Sequence, residues 1–499
     1  MQLCDLTPHL ANLPQDIAQA SLSGLSADSR RIETGWVFFA ISGNDADGHD
    51  YIEQAIANGA IAIMGERPAD AIGPLSVPYI PSDNIRRDFA AACAKFWPKR
   101  PAIQAAITGT NGKTSVAEFL RQIWQNSSFS SASLGTLGAI TATKDLAPDV
   151  PSLTTPGPED LFATIDQLAR GGISCLAIEA SSHGIAQDRL TPLSVHVAGF
   201  TNLSRDHLDF HGDMESYFAC KAKLFTDILP DGAAAVIWHD DPHGEKLVQM
   251  LTDRPLVLKT IGWSKQSDLQ IIDLTQTNYG YDAKFTFAGK SYHYPLALMG
   301  RFQAENALIA ALMAHLSGLA AHDSFGALPN LKPIAGRMQP VYGHPQNARI
   351  LVDYAHTPDA LENALRLLRQ ETTGQLLVLF GCGGDRDKGK RPMMGQVALD
   401  LADVVYVTDD NPRSEDPSVI RSEIINGQTD RIIEIGNRKA AIQTAIDALG
   451  EHDCLLIAGK GHEATQTMGH ETLPFDDAAV ARSALTFLSP LPKTKKGAS

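Results

Sequence analysis

A chain of 499 residues is too long for a single hydrophobic core and predicts about three domains. Hydrophobic residues at 44% and charged residues at 20% give the balance of a globular protein, while a formal charge of −15 excludes a sequence-independent grip on nucleic acid. Six scattered cysteines without paired spacing read as reduced thiols. No basic leader and no run of about eighteen apolar residues predicts export or a membrane span, so a cytoplasmic protein is expected.

Residues 1–100 mix short apolar runs, 36–41 and 60–64, with polar turns and predict a small α/β domain. Asp28-Ser29-Arg30 and the stretch 43–50 collect hydrogen-bonding groups in predicted loops, where binding residues gather. Two prolines and three cations in 95–101 predict a domain boundary.

From 101 to 335, apolar runs alternate with helical spacing, which predicts a mostly parallel sheet covered on its faces. The run 103–107 enters Gly109-Thr110-Asn111-Gly112-Lys113-Thr114-Ser115, after which Val116, Phe119, Leu120, Ile123 and Trp124 fall at helical spacing. A strand, a Gly-rich turn and a helix N-terminus in that order cradle a polyphosphate. The N–H groups and the positive helix end point at the anion, Lys113 reaches its terminal phosphates, and a hydroxyl of Thr114 or Ser115 suits Mg²⁺. The common eight-residue phosphate-loop pattern has Gly where this chain has Ile107, so the loop is a shortened variant.

Two further runs, 173–178 and 195–200, end at Glu179 and at the stretch carrying His207. Both fall at the carboxyl edge where Lys113 falls, as candidate metal ligands. Lys221, among Tyr217, Phe218, Leu224 and Phe225, is expected to be half-buried. The stretch 255–297, with Gly280 and Gly289, predicts a small antiparallel β insertion, and 302–312 predicts a core helix.

Residues 336–490 predict a doubly wound, Rossmann-like domain. Its strands 349–352, 376–380, 404–407 and 454–457 each run into a loop dense in charge or glycine. The tail 491–499 is read as disordered.

The chain-long series Thr108 to Ser115, Glu179-Ala180-Ser181-Ser182-His183-Gly184, Asn202-Leu203-Ser204-Arg205-Asp206-His207-Leu208-Asp209, Gly336-Arg337-Met338, Asp353-Tyr354-Ala355-His356-Thr357-Pro358, Asp410-Asn411-Pro412-Arg413 and Gly459-Lys460-Gly461-His462-Glu463 resembles the Mur ligases, in their diaminopimelate-adding branch. The resemblance implies an N-terminal UDP-binding domain (1–100), a central P-loop-type ATPase domain (101–335) and a C-terminal domain that receives an amino acid (336–490). It implies amide formation through an acyl phosphate: the D-Glu carboxylate of a UDP-muramoyl dipeptide attacks ATP, and the amine of meso-diaminopimelate displaces phosphate. Lys113, Glu179, His207 and Lys221 are the implied catalytic residues. Thr114 and Glu179 would serve one Mg²⁺ and His207 a second, with Lys221 as a carbamate and Lys223 as the alternative lysine. Gly109 to Ser115, with Asn306, Arg337 and Asp353, match nucleotide contacts; Ser29, Thr154, Thr155, Ser181, Gln187 and Arg189 match contacts to the muramoyl dipeptide. Arg386, Asp410, Asn411, Arg413, Gly459 and Glu463 match contacts to diaminopimelate. A monomer acting on small molecules is expected. An L-lysine-adding sibling and a folylpolyglutamate synthetase-like enzyme are the alternatives.

Overall fold

Short runs of apolar and β-branched residues near the N-terminus pair into a four-stranded parallel sheet, in the order Gly24–Ser26, Trp36–Ala40, Ala60–Gly65, Tyr79–Pro81. Helix Ile85–Phe96 follows it and buries Ile85, Phe89, Ala90, Ala92 and Cys93. The computed structural model describes residues 1–7, 15–43, 46–142, 147–148, 150, 153–277, 279–428 and 430–488. The tail 491–499, and Asn44 and Asp45 of the predicted loop, lie outside them.

The central sheet has ten strands. From one edge to the other they are Lys290–Leu296, Gly280–Phe287, Leu269–Thr277, Val257–Gly262, Ala234–Trp238, Val197–Phe200, Ile103–Thr108, Cys175–Glu179, Ser131–Gly135 and Gly138–Thr141. The strands from Val257–Gly262 to Ser131–Gly135 run parallel, and Gly138–Thr141 closes that edge antiparallel. Helix Arg301–Leu316 is apolar almost all round, with Ala304 and each residue from Ala307 to Ala314 buried.

The expected β insertion at 255–297 is present, with Leu269–Thr277, Gly280–Phe287 and Lys290–Leu296 as consecutive neighbours at the sheet's edge, but its start differs from the antiparallel expectation. Val257–Gly262 pairs parallel with Ala234–Trp238, and Leu269 pairs parallel with Ile261, so the stretch extends the central sheet. The physical reason is the open edge of Ala234–Trp238, whose unpaired N–H and C=O groups need a partner strand. The last connection has the expected tight turn, at Ala288 and Gly289 with φ +49° and +74°.

The C-terminal sheet runs Gln339–Pro340, Arg349–Asp353, Cys454–Ala458, Leu376–Phe380, Val404–Val407, Ile432–Glu434, all parallel after the antiparallel first pair. One face packs on Leu361, Leu365, Met394 and Ile420, and the other on Ala441, Ile442, Ala445 and Ala481. Helices on both faces explain why these strands read as unbroken apolar runs.

Two compact units result. The first comprises Met1–Ile272, Lys284–Tyr294 and Asn306–Leu328; the second comprises Asp273–Ala283, Pro295–Glu305 and the chain from Pro329 onward. Within the first, Ser26 Oγ donates to Glu159 Oε2 at 2.9 Å and Arg31 pairs with Glu159 at 2.7 Å, so the N-terminal sheet is tied to helix Pro158–Arg170. All six cysteines are free, and only Cys4 is not fully buried.

Candidate active site

The strand Ile103–Thr108 stops at Gly109, φ +145°, and helix Lys113–Asn126 begins after Gly112, φ +87°. A Cβ on Gly109 would lie 2.0 Å from Thr201 Oγ1, and one on Gly112 would lie 2.6 Å from Asn306 Oδ1. Both positions therefore demand glycine for space as well as for φ. Thr201 and Asn202, at the end of the neighbouring strand, hold the loop from below: Thr201 Oγ1 donates to Asn111 O, and Asn111 N donates to Asn202 Oδ1 at 3.0 Å. Lys113 Nζ lies back over the loop, donating to Gly109 O at 3.0 Å and Thr110 O at 2.8 Å.

Glu179, 2% exposed, accepts from Thr114 Oγ1 at 2.9 Å, from Thr136 N at 2.8 Å and from Thr136 Oγ1 at 3.2 Å. It has no cationic partner among the described residues. A buried carboxylate satisfied only by neutral donors beside a hydroxyl is an oxygen donor set that suits a hard divalent cation. The same strand end organises a second group. Thr155 Oγ1 donates to Glu179 O at 2.7 Å and accepts from Ser181 N at 2.9 Å, while Thr154 Oγ1 lies 3.0 Å from Thr136 Oγ1. Ser181 caps helix Ser182–Ala186, and Arg189 donates to Thr155 O and to Gln187 Oε1. Burial, and then the charge of Arg86, hold the Arg189 guanidinium below its ordinary value.

Lys221 is 1% exposed on helix Met214–Lys223, more deeply buried than expected, and Lys223 is exposed. Its Nζ donates to Gly109 O at 2.8 Å and lies 4.5 Å above the Tyr217 ring. Burial, and then the neighbouring charge of Lys113, push this amine well below the usual lysine range. His207, φ +52°, packs edge-on to His183 at 4.9 Å and stands 6.4 Å from the Tyr217 ring. Among the described residues no three His, Cys, Asp or Glu side chains converge as a metal cluster. Ser29 is buried in the N-terminal sheet's first turn, and its Oγ donates to Gln54 Oε1 at 2.8 Å.

In the second unit the carboxyl ends of the parallel strands gather the rest. Asp353 accepts from Met338 N at 2.8 Å and Ala355 N at 2.9 Å, and burial raises its carboxyl. Arg337 lies 4.8 Å over the Tyr354 ring. Arg413, φ +52°, donates from Nη1 to Gly384 O at 2.6 Å and forms no ion pair among the described residues. Its backbone is pinned by Thr467 O and Gly469 N. Asn411 Nδ2 donates to Glu463 Oε2 at 2.8 Å. A Cβ on Gly459 would lie 2.7 Å from Asp410 Oδ2, so this loop closes over a buried acid whose carboxyl is raised by burial. Arg386 is exposed on the adjoining loop.

Three family models match in order: "Mur ligase family, catalytic domain" over residues 21–99, "Mur ligase middle domain" over 107–314 and "Mur ligase, glutamate ligase domain" over 336–461. The chain belongs to the Mur ligase family. Among its relatives, "UDP-N-acetylmuramoyl-L-alanyl-D-glutamate--2,6-diaminopimelate ligase" of Bradyrhizobium diazoefficiens is 44% identical over 488 residues, covering 97% of this chain and 99% of its own. A solved structure of the same name is 31% identical with a TM-score of 0.71, covering 97% of this chain and 99% of the other. The MurF ligase of Thermotoga maritima, solved with ADP, shares the fold at 19% identity and a TM-score of 0.58, covering 93% of this chain and 96% of its own.

Several residues of this Mur ligase site escaped the sequence reading. Thr136 gives Glu179 two of its three hydrogen bonds, yet it follows an ordinary strand; only its place next to Gly135, where a Cβ would lie 2.1 Å from Glu179 Oε1, marks it. Tyr217 was named only as a neighbour of Lys221; its ring carries that amine and its hydroxyl lies 3.4 Å from Thr110 Oγ1.

Proposed function

We propose that this Mur ligase is an ATP-dependent amide ligase that adds meso-diaminopimelate to the D-Glu of UDP-N-acetylmuramoyl-L-alanyl-D-glutamate, forming ADP and phosphate. The observation that carries this reading is the convergence on one phosphate loop of two lysines and a buried carboxylate: Lys113 and Lys221 on Gly109 O, and Glu179 on Thr114. A carboxylate does not acylate an amine at neutral pH, so it must first be phosphorylated. Transfer between two anions needs alignment and charge neutralisation. The loop N–H groups and Lys113 bind and orient the γ-phosphate; Thr155, Ser181, Gln187 and Arg189 hold the dipeptide so that its carboxylate faces that phosphorus. Once the acyl phosphate forms, the amine attacks the carbonyl carbon and inorganic phosphate leaves.

Mg²⁺ fits the chemistry of Thr114 and Glu179, and at that place it would neutralise charge on the phosphates. A second ion would use His207 and Lys221 as its carbamate, in which the amine has become an anion. Asn306, Arg337 and Asp353 are assigned to the nucleotide and Ser29 to the uridine. Arg386, Asp410, Asn411, Arg413, Gly459 and Glu463 are assigned to diaminopimelate. Residues 1–100 take the UDP moiety, 101–335 the ATP and 336–490 the amino acid, in a cytoplasmic monomer; no helix among the described residues is long and apolar enough to cross a membrane.

An L-lysine-adding sibling is the second reading. Arg413 counts against it, because a guanidinium without a carboxylate partner rewards the extra carboxylate of diaminopimelate and repels the ammonium of lysine. Phosphate release with the UDP-dipeptide and each amino acid in turn tests the reading. Turnover with diaminopimelate alone is expected, and turnover with lysine or glutamate instead would replace it.

A further inference from the structure

Lys460 is the one residue of the stretch Gly459-Lys460-Gly461-His462-Glu463 whose side chain is charged and 0% exposed. A lysine normally extends its ammonium to water, so a wholly buried one must be held by acceptors placed for it. Here they are Asn411 Oδ1 and Glu463 Oε2, each at 3.2 Å.

Asn411 Oδ1 also accepts from Thr467 N at 2.9 Å, so with two donors on the oxygen the amide can point only one way. Its Nδ2 then faces Glu463 and donates to the same Oε2, at 2.8 Å. Both inward donors therefore act on one oxygen of Glu463. The other, Oε1, has no partner among the described residues, and the side chain is 35% exposed. The buried Asp410 feels the charges of Arg438 and Lys460, which favour its ionised form, and that of Glu463, which opposes it. Arg438 is already spent on Asp477, with bonds of 2.7 Å from Nε and Nη2.

We propose that Lys460 is a positioning residue for the amino-acid subsite: it fixes Asn411 and Glu463 so that one carboxylate oxygen of Glu463 stays available to an ammonium group of the incoming diamino acid. This rests on the reading above that the edge receives diaminopimelate. Without the Lys460 ammonium, Glu463 Oε2 loses one of its two inward donors while Thr467 N still holds the Asn411 amide, and the Glu463 carboxylate is free to turn. That turn removes the acceptor for the ammonium and leaves the nucleotide and dipeptide contacts in place.

The test uses the full chain and steady-state phosphate release. Lys460→Met should raise the KM for meso-diaminopimelate at least tenfold while the KM values for ATP and for the UDP-dipeptide change less than twofold and kcat less than threefold. Lys460→Gln, which keeps a donor but no charge, covers the case in which the methionine variant does not fold, and should give a smaller rise of the same selectivity. In a Glu463→Gln background either substitution should add less than a further twofold, because the residue acts through Glu463. An unchanged diaminopimelate KM, a parallel rise in all three KM values or a full tenfold increment in the Glu463→Gln background would each overturn the proposal while leaving the reaction assignment intact. Failure of the wild type to use diaminopimelate overturns both.

Discussion

Lys113 Nζ and Lys221 Nζ donate to the same acceptor, the carbonyl oxygen of Gly109, at 3.0 and 2.8 Å. Burial, and then the charge of the neighbouring Lys113, hold the Lys221 amine well below its ordinary value, which favours its neutral form. Lys113 stays half-buried on the loop. The proposed division of labour gives Lys113 to the phosphate and the Lys221 amine to carbamate formation.

For Lys113 the expected result is loss of ligation without loss of fold. Its side chain is half-buried and donates to the loop carbonyls Gly109 O and Thr110 O, so Lys113→Ala removes charge stabilisation and little core packing. The loss of one such group at a developing charge costs about 4 kcal/mol, roughly a thousandfold in kcat. A folded Lys113→Ala protein with near-wild-type phosphate release would sink the phosphate-loop assignment.

The neutral amine of Lys221 is the form that adds CO₂, making an N–C bond and releasing a proton. Lys221→Ala should be nearly inactive, and added acetate or formate should restore part of the rate by filling the vacated anionic position. Lys223 is exposed, so Lys223→Ala should behave as the wild type. The opposite ranking of the two variants would show that the functional lysine is Lys223.

The role proposed for Arg413 is the choice of amino acid. Among the described residues its guanidinium donates to Gly384 O at 2.6 Å, and its backbone is held by Thr467 O and Gly469 N. Loss of one charge-assisted pair costs on the order of 2–5 kcal/mol in a desolvated pocket. Competition between meso-diaminopimelate and L-lysine should strongly favour the former in the wild type, and Arg413→Ala should lose most of that preference. Equal use of the two by the wild type would remove Arg413 from this role.

Acid stability depends on His462, whose imidazole is lowered to about 4, first by burial and then by the Arg337 charge. Against an ordinary value near 6.5, the unfolded chain binds the proton first between pH 6.5 and 4. Stability is therefore fully present above about pH 6.5 and is lost as pH falls toward 4. This group alone should make the protein about 2 kcal/mol less stable at pH 5 than at pH 8. Urea unfolding at the two pH values measures it, and the difference should shrink by that amount in His462→Gln. An unchanged difference would mean that His462 already titrates normally.

The phosphate loop was legible because its signals are local. Glycine at 109 and 112, the apolar run before them and helical spacing after them fix strand, turn and helix within about twenty residues, by backbone sterics and period alone. The strand ends at Glu179, Asp353 and Asp410 were equally local, since a parallel sheet places such ends on one edge. What the sequence could not determine is which distant groups meet there. Lys221 lies 112 positions from Gly109, Thr136 lies 43 from Glu179, and Lys460 lies 49 from Asn411. The same holds for the sheet edge at 257–262, where strand spacing is read from a few residues but the partner is chosen by the open edge of Ala234–Trp238. Period and turn chemistry act over a few bonds, whereas burial, amide orientation and the lowered amine of Lys221 arise only when packing brings separate elements into contact and excludes water.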